Sequence, residues 1–163
     1  TRKKEAKASA QAFLAGAERR TVVIKDFKDG FFPFSGGEIK LYFEELKRKV
    51  TPDLIFTHQR SDLHQDHRLI SDLTWNTFRD HLILEYETPK YDADLRAPNV
   101  FAPLDDRTCN TKISYLLEHF RSQADNSWFT EATFRSILRL RGIESNSPTQ
   151  NAEGFYGRKL IVL

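Results

Sequence analysis

Apolar and polar positions alternate along this chain with two different periods, and the switches between them mark the predicted elements. Ala6, Ala10, Phe13, Leu14 and Ala17 recur at helical spacing and predict an amphipathic helix over 3–17 with a small-residue face, ended by Gly16 and the charged 18–20. Thr21-Val22-Val23-Ile24-Lys25 is a short β-branched run, read as a strand that a parallel sheet would bury. From Glu38 to Val50, Ile39, Phe43, Leu46 and Val50 share one stripe while Lys40, Glu44, Glu45 and Lys47 lie outside it, which predicts a helix stopped by Pro52. Leu54-Ile55-Phe56 reads as a strand. A helix from Gln65 to Arg79 follows, burying Leu69, Ile70, Leu73 and Phe78, and then a strand over Leu82 to Tyr86.

Beyond Tyr86 the rhythm loosens. Residues 87–99 are polar and punctuated by Pro89 and Pro98, and lead to a short extended Val100-Phe101-Ala102. Asp105 and Asp106 place acids at the start of a helix, where they complement its dipole. Ile113, Leu116, Leu117 and Phe120 form the apolar face of that helix, which ends near Gln123. A last helix over 130–141 buries Phe134, Ile137 and Leu138 and stops at Gly142, and the apolar 160–163 predict a closing strand. Helix, short loop, strand, loop, helix is the order of a parallel sheet with crossover helices. The expected class is therefore α/β, a Rossmann-like three-layer sandwich with a mostly parallel sheet, in a single domain over 1–163.

The chemistry concentrates in one stretch, Asp53 through Arg68. It begins as a strand and ends in His64-Gln65-Asp66-His67 at the start of a helix. Ligands of open α/β sheets gather beyond the carboxyl ends of strands, which is where this cluster falls. His64 and His67 are three residues apart, so one helical turn can aim both at a point, and a neighbouring carboxylate can fix an imidazole tautomer. Spacing alone leaves the alternative open that they cap a helix or face solvent, since a zinc site takes about three protein ligands. Elsewhere, Phe31, Phe32 and Phe34 sit in a turn-rich loop and either line a cleft or plug the space between helix and sheet. Lys90, Tyr91, Asp92 and Asp94 lie in a strand-end loop, the usual position of both substrate contacts and ordinary turn residues.

Composition narrows the classes. The 163 residues are 39% hydrophobic and 29% charged, enough apolar content to fold one core and too much to be disordered. A net charge of +2, with Arg and Lys scattered among acids, argues against a nucleic-acid partner. No run of about 18 apolar residues is present, so no membrane span is expected. The single Cys109 has no partner for an internal disulfide, which is compatible with a reducing compartment and sets a cytoplasmic location as the expectation.

The sequence also resembles a known family. Pro52-Asp53-Leu54-Ile55-Phe56-Thr57 followed by Asp62-Leu63-His64-Gln65-Asp66-His67-Arg68 is similar to the second signature of the PIG-L (LmbE-like) zinc-dependent N-deacetylases. Arg2 to Gly16 resembles that family's Arg-x-x-Glu-Ala helix, Lys28-Asp29-Gly30 its aspartate-glycine loop, and Ala152-Glu153-Gly154-Phe155 its Ala-Glu-x-Phe segment. The resemblance implies a zinc-dependent hydrolase that removes an acetyl group from an N-acetylated sugar or sugar conjugate. It implies His67 as a zinc ligand, His64 as electrostatic stabiliser and general acid, and Asp66 as the carboxylate that hydrogen-bonds a histidine and raises its pKa. Arg68 and Glu153 are the candidate substrate contacts, and the polar Asp94, Arg96, Asn99 and Glu153 suggest a hydroxyl-rich ligand, as most surface loops would.

The family's first signature, Ala-His-Pro-Asp-Asp-Glu, is absent from these residues. By the resemblance it carries two zinc ligands and the catalytic base, so those are expected upstream of Thr1, together with the first strands of the sheet. The chain reads as the C-terminal piece of a longer protein, inactive and weakly zinc-binding by itself. A non-catalytic α/β module that recognises a sugar or nucleotide at the same strand edge is the alternative, and a structural fragment pairing through an open sheet edge is a third reading.

Overall fold

Residues 2–160 are described by a computed structural model, in which the chain divides into two units. One unit comprises the chain up to Asp26 and Phe101–Glu153; the other comprises Phe27–Val100 and the chain from Gly154 onward. The regular elements are α1 (Arg2–Phe13), α2 (Gly36–Lys49), β1 (Leu54–His58), α3 (Gln65–Thr77), β2 (Leu82–Tyr86), β3 (Val100–Pro103), α4 (Asp106–His119), α5 (Glu131–Glu144) and β4 (Ala152–Gly157). The strands follow the order β1-β2-β4-β3, an α/β arrangement with a mixed sheet. β1 and β2 run parallel with Phe56 opposite Leu84, and β4 runs antiparallel to β2 with Tyr156 opposite Glu85.

In the unit built around β1 and β2, α3 covers one face of the sheet with small hydroxyl residues. Ser71, Thr74 and Thr77 are the buried positions of that helix, whereas the expected Leu69, Ile70 and Leu73 are half-buried. Short side chains let the helix approach the strand closely, and their hydroxyls find partners there. The Thr74 hydroxyl lies 3.0 Å from that of Thr57 on β1 and donates to the Ile70 carbonyl at 2.7 Å. The buried Ile39, Phe78, Ile83 and Phe155 complete the apolar interior of this unit. On the opposite face of β1, Leu54 and Phe56 remain exposed, with the Phe56 ring tilted 46° against that of Phe155, centroids 5.4 Å apart.

The other unit has a core of Cys109, Ile113, Phe129, Phe134 and Leu138, flanked by Leu116, Leu117 and Trp128. Asp105 caps α4 by accepting the Thr108 N–H at 2.7 Å, as acids at that position should. α1 lies along α4, with Ala6 and Ala10 half-buried and Phe13 exposed. Cys109 is buried, and burial raises its thiol pKa, with Asp106 adding to the effect; it is a core residue and not an activated nucleophile.

Three expectations change here. Thr21–Lys25 forms no strand: Val22 and Val23 are exposed, and no described segment offers the ladder that β-branched residues need to become one. Gly142 does not stop the last helix, which runs on to Glu144; glycine is required there because a Cβ would sit 2.1 Å from the Gln150 carbonyl oxygen. The closing strand is β4, over Ala152–Gly157, while residues 161–163 of the expected strand lie outside the described residues.

Candidate active site

The loop from β1 to α3 is pinned by one carboxylate. Asp62 is 2% exposed, and its Oδ2 accepts from Nδ1 of His67 at 2.8 Å. Its Oδ1 accepts the backbone N–H of His64 at 2.8 Å and lies 3.1 Å from the ammonium of Lys90. Lys90 is shared with Asp94, whose carboxylate also accepts the Leu63 N–H at 2.8 Å. The Arg68 guanidinium donates to the carbonyls of Asp62 at 3.1 Å and Leu63 at 2.5 Å, bracing the turn from the other side. Burial opposes the charge on Asp62, but hydrogen bonds from His67, the His64 backbone and Lys90 hold its pKa below the ordinary value.

Three imidazoles stand beside that carboxylate. His58 stacks on His67 with ring centroids 3.9 Å apart and planes 7° from parallel, and His64 lies 4.6 Å from His67. Nε2 of His58 is 3.2 Å from the Tyr86 hydroxyl, while its buried Nδ1 has no partner. Burial, reinforced by the neighbouring His67, pushes the His58 pKa down to about 3, and burial raises that of Tyr86 to about 12. Both groups are neutral at physiological pH.

The capacity for a metal follows from ring orientation. Because Nδ1 of His67 donates to Asp62, its Nε2 carries the free lone pair, the arrangement by which a carboxylate prepares histidine as a ligand. Donor atoms of His58, Asp62 and His67 lie within 4.8 Å of one another. A metal must lie near the plane of each ligating ring, however, and two rings stacked nearly parallel with centroids 3.9 Å apart share no such point. His58 and His67 therefore do not ligate one ion as they stand. Asp29, His64 and Asp66 form a second close set, but the Asp66 carboxylate and the His64 Nδ1 are already engaged as acceptors. The donor set fits a metal through His67, with Asp62 as its orienting partner.

The structure brings His64, Asp66, His67 and Arg68 together at the start of α3. Asp66 departs from its expected contact. At the second position of the helix its carboxylate points back across the loop, accepting the N–H groups of Gly30 at 2.6 Å and Phe32 at 3.0 Å; Asp62 is the residue that holds a histidine. Gly30 has φ 78°, a left-handed turn that glycine adopts without strain and that aims its N–H at Asp66. His64 caps the helix, its Nδ1 accepting the Asp66 N–H at 3.3 Å, so the proton of a neutral ring sits on Nε2. An imidazolium at this position would have to give up the cap. Glu153 belongs to the other unit, where its carboxylate pairs with Lys112.

Sequence reasoning missed His58 and the central part played by Asp62. The available signals were a polar histidine ending an apolar strand and an aspartate five residues before His67, but neither reveals which carboxylate meets which ring. On the face of the sheet that α3 covers, a separate open cavity of about 620 Å³ is lined by Arg60, Glu85, Arg96, Asn99, Tyr156 and Arg158 among others. Its organiser is buried Glu85, which accepts from the Arg60 N–H at 2.8 Å and the Trp75 indole at 2.6 Å and pairs with Arg158 at 2.6 Å.

The model of the PIG-L family, described as GlcNAc-PI de-N-acetylase, matches residues 1–78. No curated protein matches the sequence. Among solved structures, the N,N'-diacetylchitobiose deacetylase of Pyrococcus horikoshii is similar over 96% of this chain at 22% identity, with a TM-score of 0.71. The 4-carboxy-2-hydroxymuconate hydratase GalB of Pseudomonas putida is similar over 99% at 17% identity and a TM-score of 0.65, covering 72% of its own length. The zinc-inhibited form of a teicoplanin deacetylase is similar over 86% at 14% identity and a TM-score of 0.58. The chain spans 62% of the length of the chitobiose deacetylase and 57% of the teicoplanin deacetylase. At these identities the likeness establishes the fold. No helix among the described residues is long and apolar enough to cross a membrane.

Proposed function

Because residues 1–78 of this chain match the PIG-L family, we propose that it forms part of a zinc-dependent hydrolase that removes the acetyl group from an N-acetylated sugar or sugar conjugate. The observation that carries this reading is the Asp62–His67 pair, which leaves Nε2 of His67 directed away from its carboxylate partner and ready for a metal. Zinc held there would polarise the amide carbonyl and activate water for attack. The remaining ligands and the base are supplied in this proposal by the Ala-His-Pro-Asp-Asp-Glu signature, which these 163 residues do not contain.

Within the chain, each residue then has a defined task. Asp62, fixed by Lys90 and by the His64 N–H, holds His67 in one tautomer and one orientation. His64 presents the N–H of Nε2 as a hydrogen-bond donor to developing negative charge; to protonate the departing amine it must first take up a second proton at Nδ1 and release the Asp66 N–H. Asp66 ties the 28–32 loop to the helix start that bears both histidines. Arg68 secures the turn through two carbonyls and faces a substrate only with its remaining donors.

The test is amine release from N,N'-diacetylchitobiose by the natural gene product, with and without a chelator. We expect activity that chelation removes and zinc restores, and a loss of at least about tenfold in His67→Ala, since even the partners that orient metal ligands are worth roughly 10–100-fold. Undiminished deacetylation by His67→Ala would remove the basis of the assignment. The fold by itself does not decide the chemistry, as the hydratase of the same fold makes plain. The runner-up, a non-catalytic sugar- or nucleotide-binding module, draws on the arginine-lined cavity beside Glu85.

A further inference from the structure

The parallel strands β1 and β2 each run into a loop, and the two loops are fastened together beside His67. Of the four polar residues in the second loop, Tyr91 and Asp92 are exposed. Lys90 and Asp94 turn inward, with side chains only 11% and 4% exposed. A buried ammonium and a buried carboxylate are costly unless paired, and here one ammonium serves two carboxylates. Lys90 joins Asp94 to Asp62, lying 3.1 Å from Oδ1 of Asp62. Those two carboxylates take two consecutive N–H groups of the first loop, Asp94 that of Leu63 and Asp62 that of His64, each at 2.8 Å. The backbone just before α3 is therefore gripped twice, and the remaining oxygen of Asp62 is the one that holds His67.

Two further observations set this fastening apart from an ordinary turn. Ala93, next to Asp94, has φ 53°, in the left-handed region that a residue with a Cβ rarely adopts. Such strain persists only where the surroundings enforce it, and the pairing of Lys90 with Asp94 closes the turn around Ala93. The charges are also unequal. One cation faces two buried anions, and Asp92 approaches to 3.8 Å from the rim. An excess of negative charge beside a neutral imidazole suits a ring whose far nitrogen takes a cation.

Resting on the zinc reading above, we propose that Lys90 and Asp94 are positioning residues for the metal ligand His67, acting through Asp62. Lys90 keeps two buried carboxylates side by side, which keeps Asp62 aimed at Nδ1 of His67 and leaves Nε2 for the metal. Without the ammonium the two anions repel, Asp62 leaves its place, and the ring loses its orientation. This effect opposes the bare charge effect. Removing a cation beside a metal site by itself tightens metal binding, whereas losing an orienting partner weakens it.

The experiment is the zinc affinity of the natural gene product and its Lys90→Met variant, read by competition with a chelating indicator. Lys90→Met is expected to bind zinc about tenfold or more weakly. Adding Asp94→Asn to it should recover most of that loss, because the amide oxygen still accepts the Leu63 N–H and the repulsion is gone. Unchanged or tighter zinc binding in Lys90→Met overturns the proposal and, where His67→Ala abolishes binding, leaves the zinc reading standing. A merely structural ion pair gives that result, with a lower unfolding midpoint and an unmoved zinc affinity. A double variant no better than Lys90→Met overturns the part assigned to Asp94. Lys90→Gln, which keeps an amide donor for the carboxylates, carries the same test where Lys90→Met does not fold. The metal-free chain supplies an arm independent of zinc. The hydrogen-bonded ring N–H of His67, observed by NMR, should be lost to solvent exchange in Lys90→Met. An unchanged ring N–H in that variant overturns the positioning even if the natural protein takes up no zinc, the result that would sink the zinc reading itself.

Discussion

Replacing Asp66 by alanine tests whether the site is built on the loop tether we describe. Its carboxylate is buried and accepts two backbone N–H groups, 36 and 34 residues away in sequence, at 2.6 and 3.0 Å. Hydrogen bonds to a charged group contribute roughly 1.5–3 kcal/mol each, and an acid in the first helical turn adds about 0.3–1 kcal/mol. The two N–H groups are only partly buried, so water recovers some of the loss, and we expect Asp66→Ala to cost about 3 kcal/mol. Asp66→Asn keeps one acceptor but turns an NH2 toward the other N–H, and should cost about 2 kcal/mol. Urea unfolding of the metal-free chain reads this directly: at a slope near 2 kcal/mol/M the alanine variant's midpoint falls by about 1.5 M. Amide hydrogen exchange should accelerate at Gly30 and Phe32 while that of β2 stays slow. Glu38→Ala, at an exposed acid in the first turn of α2, should move stability by no more than about 0.5 kcal/mol and serves as the control. A cost for Asp66→Ala below about 1 kcal/mol, or unchanged exchange at Gly30 and Phe32, would refute the tether.

Two further outcomes follow from burial. The pKa of His58 is about 3 in the fold against an ordinary 6.5, so below pH 6.5 the unfolded chain takes up a proton that the fold refuses. Stability is complete above that value and declines as pH falls toward 3, by about 1.3 kcal/mol between pH 7.5 and 5.5; urea unfolding of metal-free protein should show this dependence reduced in His58→Phe, and an identical dependence in both proteins rejects the assignment. Gly142→Ala forces a Cβ against the Gln150 carbonyl oxygen at 2.1 Å, a backbone atom with no flexible end to yield. Its expected cost of at least about 2 kcal/mol lowers the thermal midpoint by roughly 5 °C or more, and a midpoint within a degree of wild type would show that the 150–151 backbone moves freely.

The elements whose existence depends on local pattern were legible in the sequence. The stripe through Ile39, Phe43 and Leu46 gave α2, the β-branched and apolar runs gave β1 and β2, and Asp105 announced the start of α4. The Asp53–Arg68 stretch stood out because it joins a strand to a helix through histidines, and its resemblance to the PIG-L signature agrees with the family match over residues 1–78. Thr21–Lys25 shows where pattern fails: its residues suit a strand, but a strand exists only through a partner's hydrogen bonds.

What the sequence determined by itself is therefore the class of fold, the helices and strands set by periodicity, and the segment where the chemistry gathers. Tertiary structure alone decided which atoms meet. Asp62, and not Asp66, holds His67; His58 arrives from the strand to stack on it; Asp66 instead anchors Gly30 and Phe32. Buried hydroxyls, and not leucines, form the face of α3 against the sheet. Periodicity encodes the face of an element on which a residue lies, because it reflects only the local helical or strand repeat. The direction of a carboxylate or an imidazole is fixed by which atoms meet, whether the partner is five residues away, as Asp62 is from His67, or 36, as Gly30 is from Asp66, and periodicity records neither.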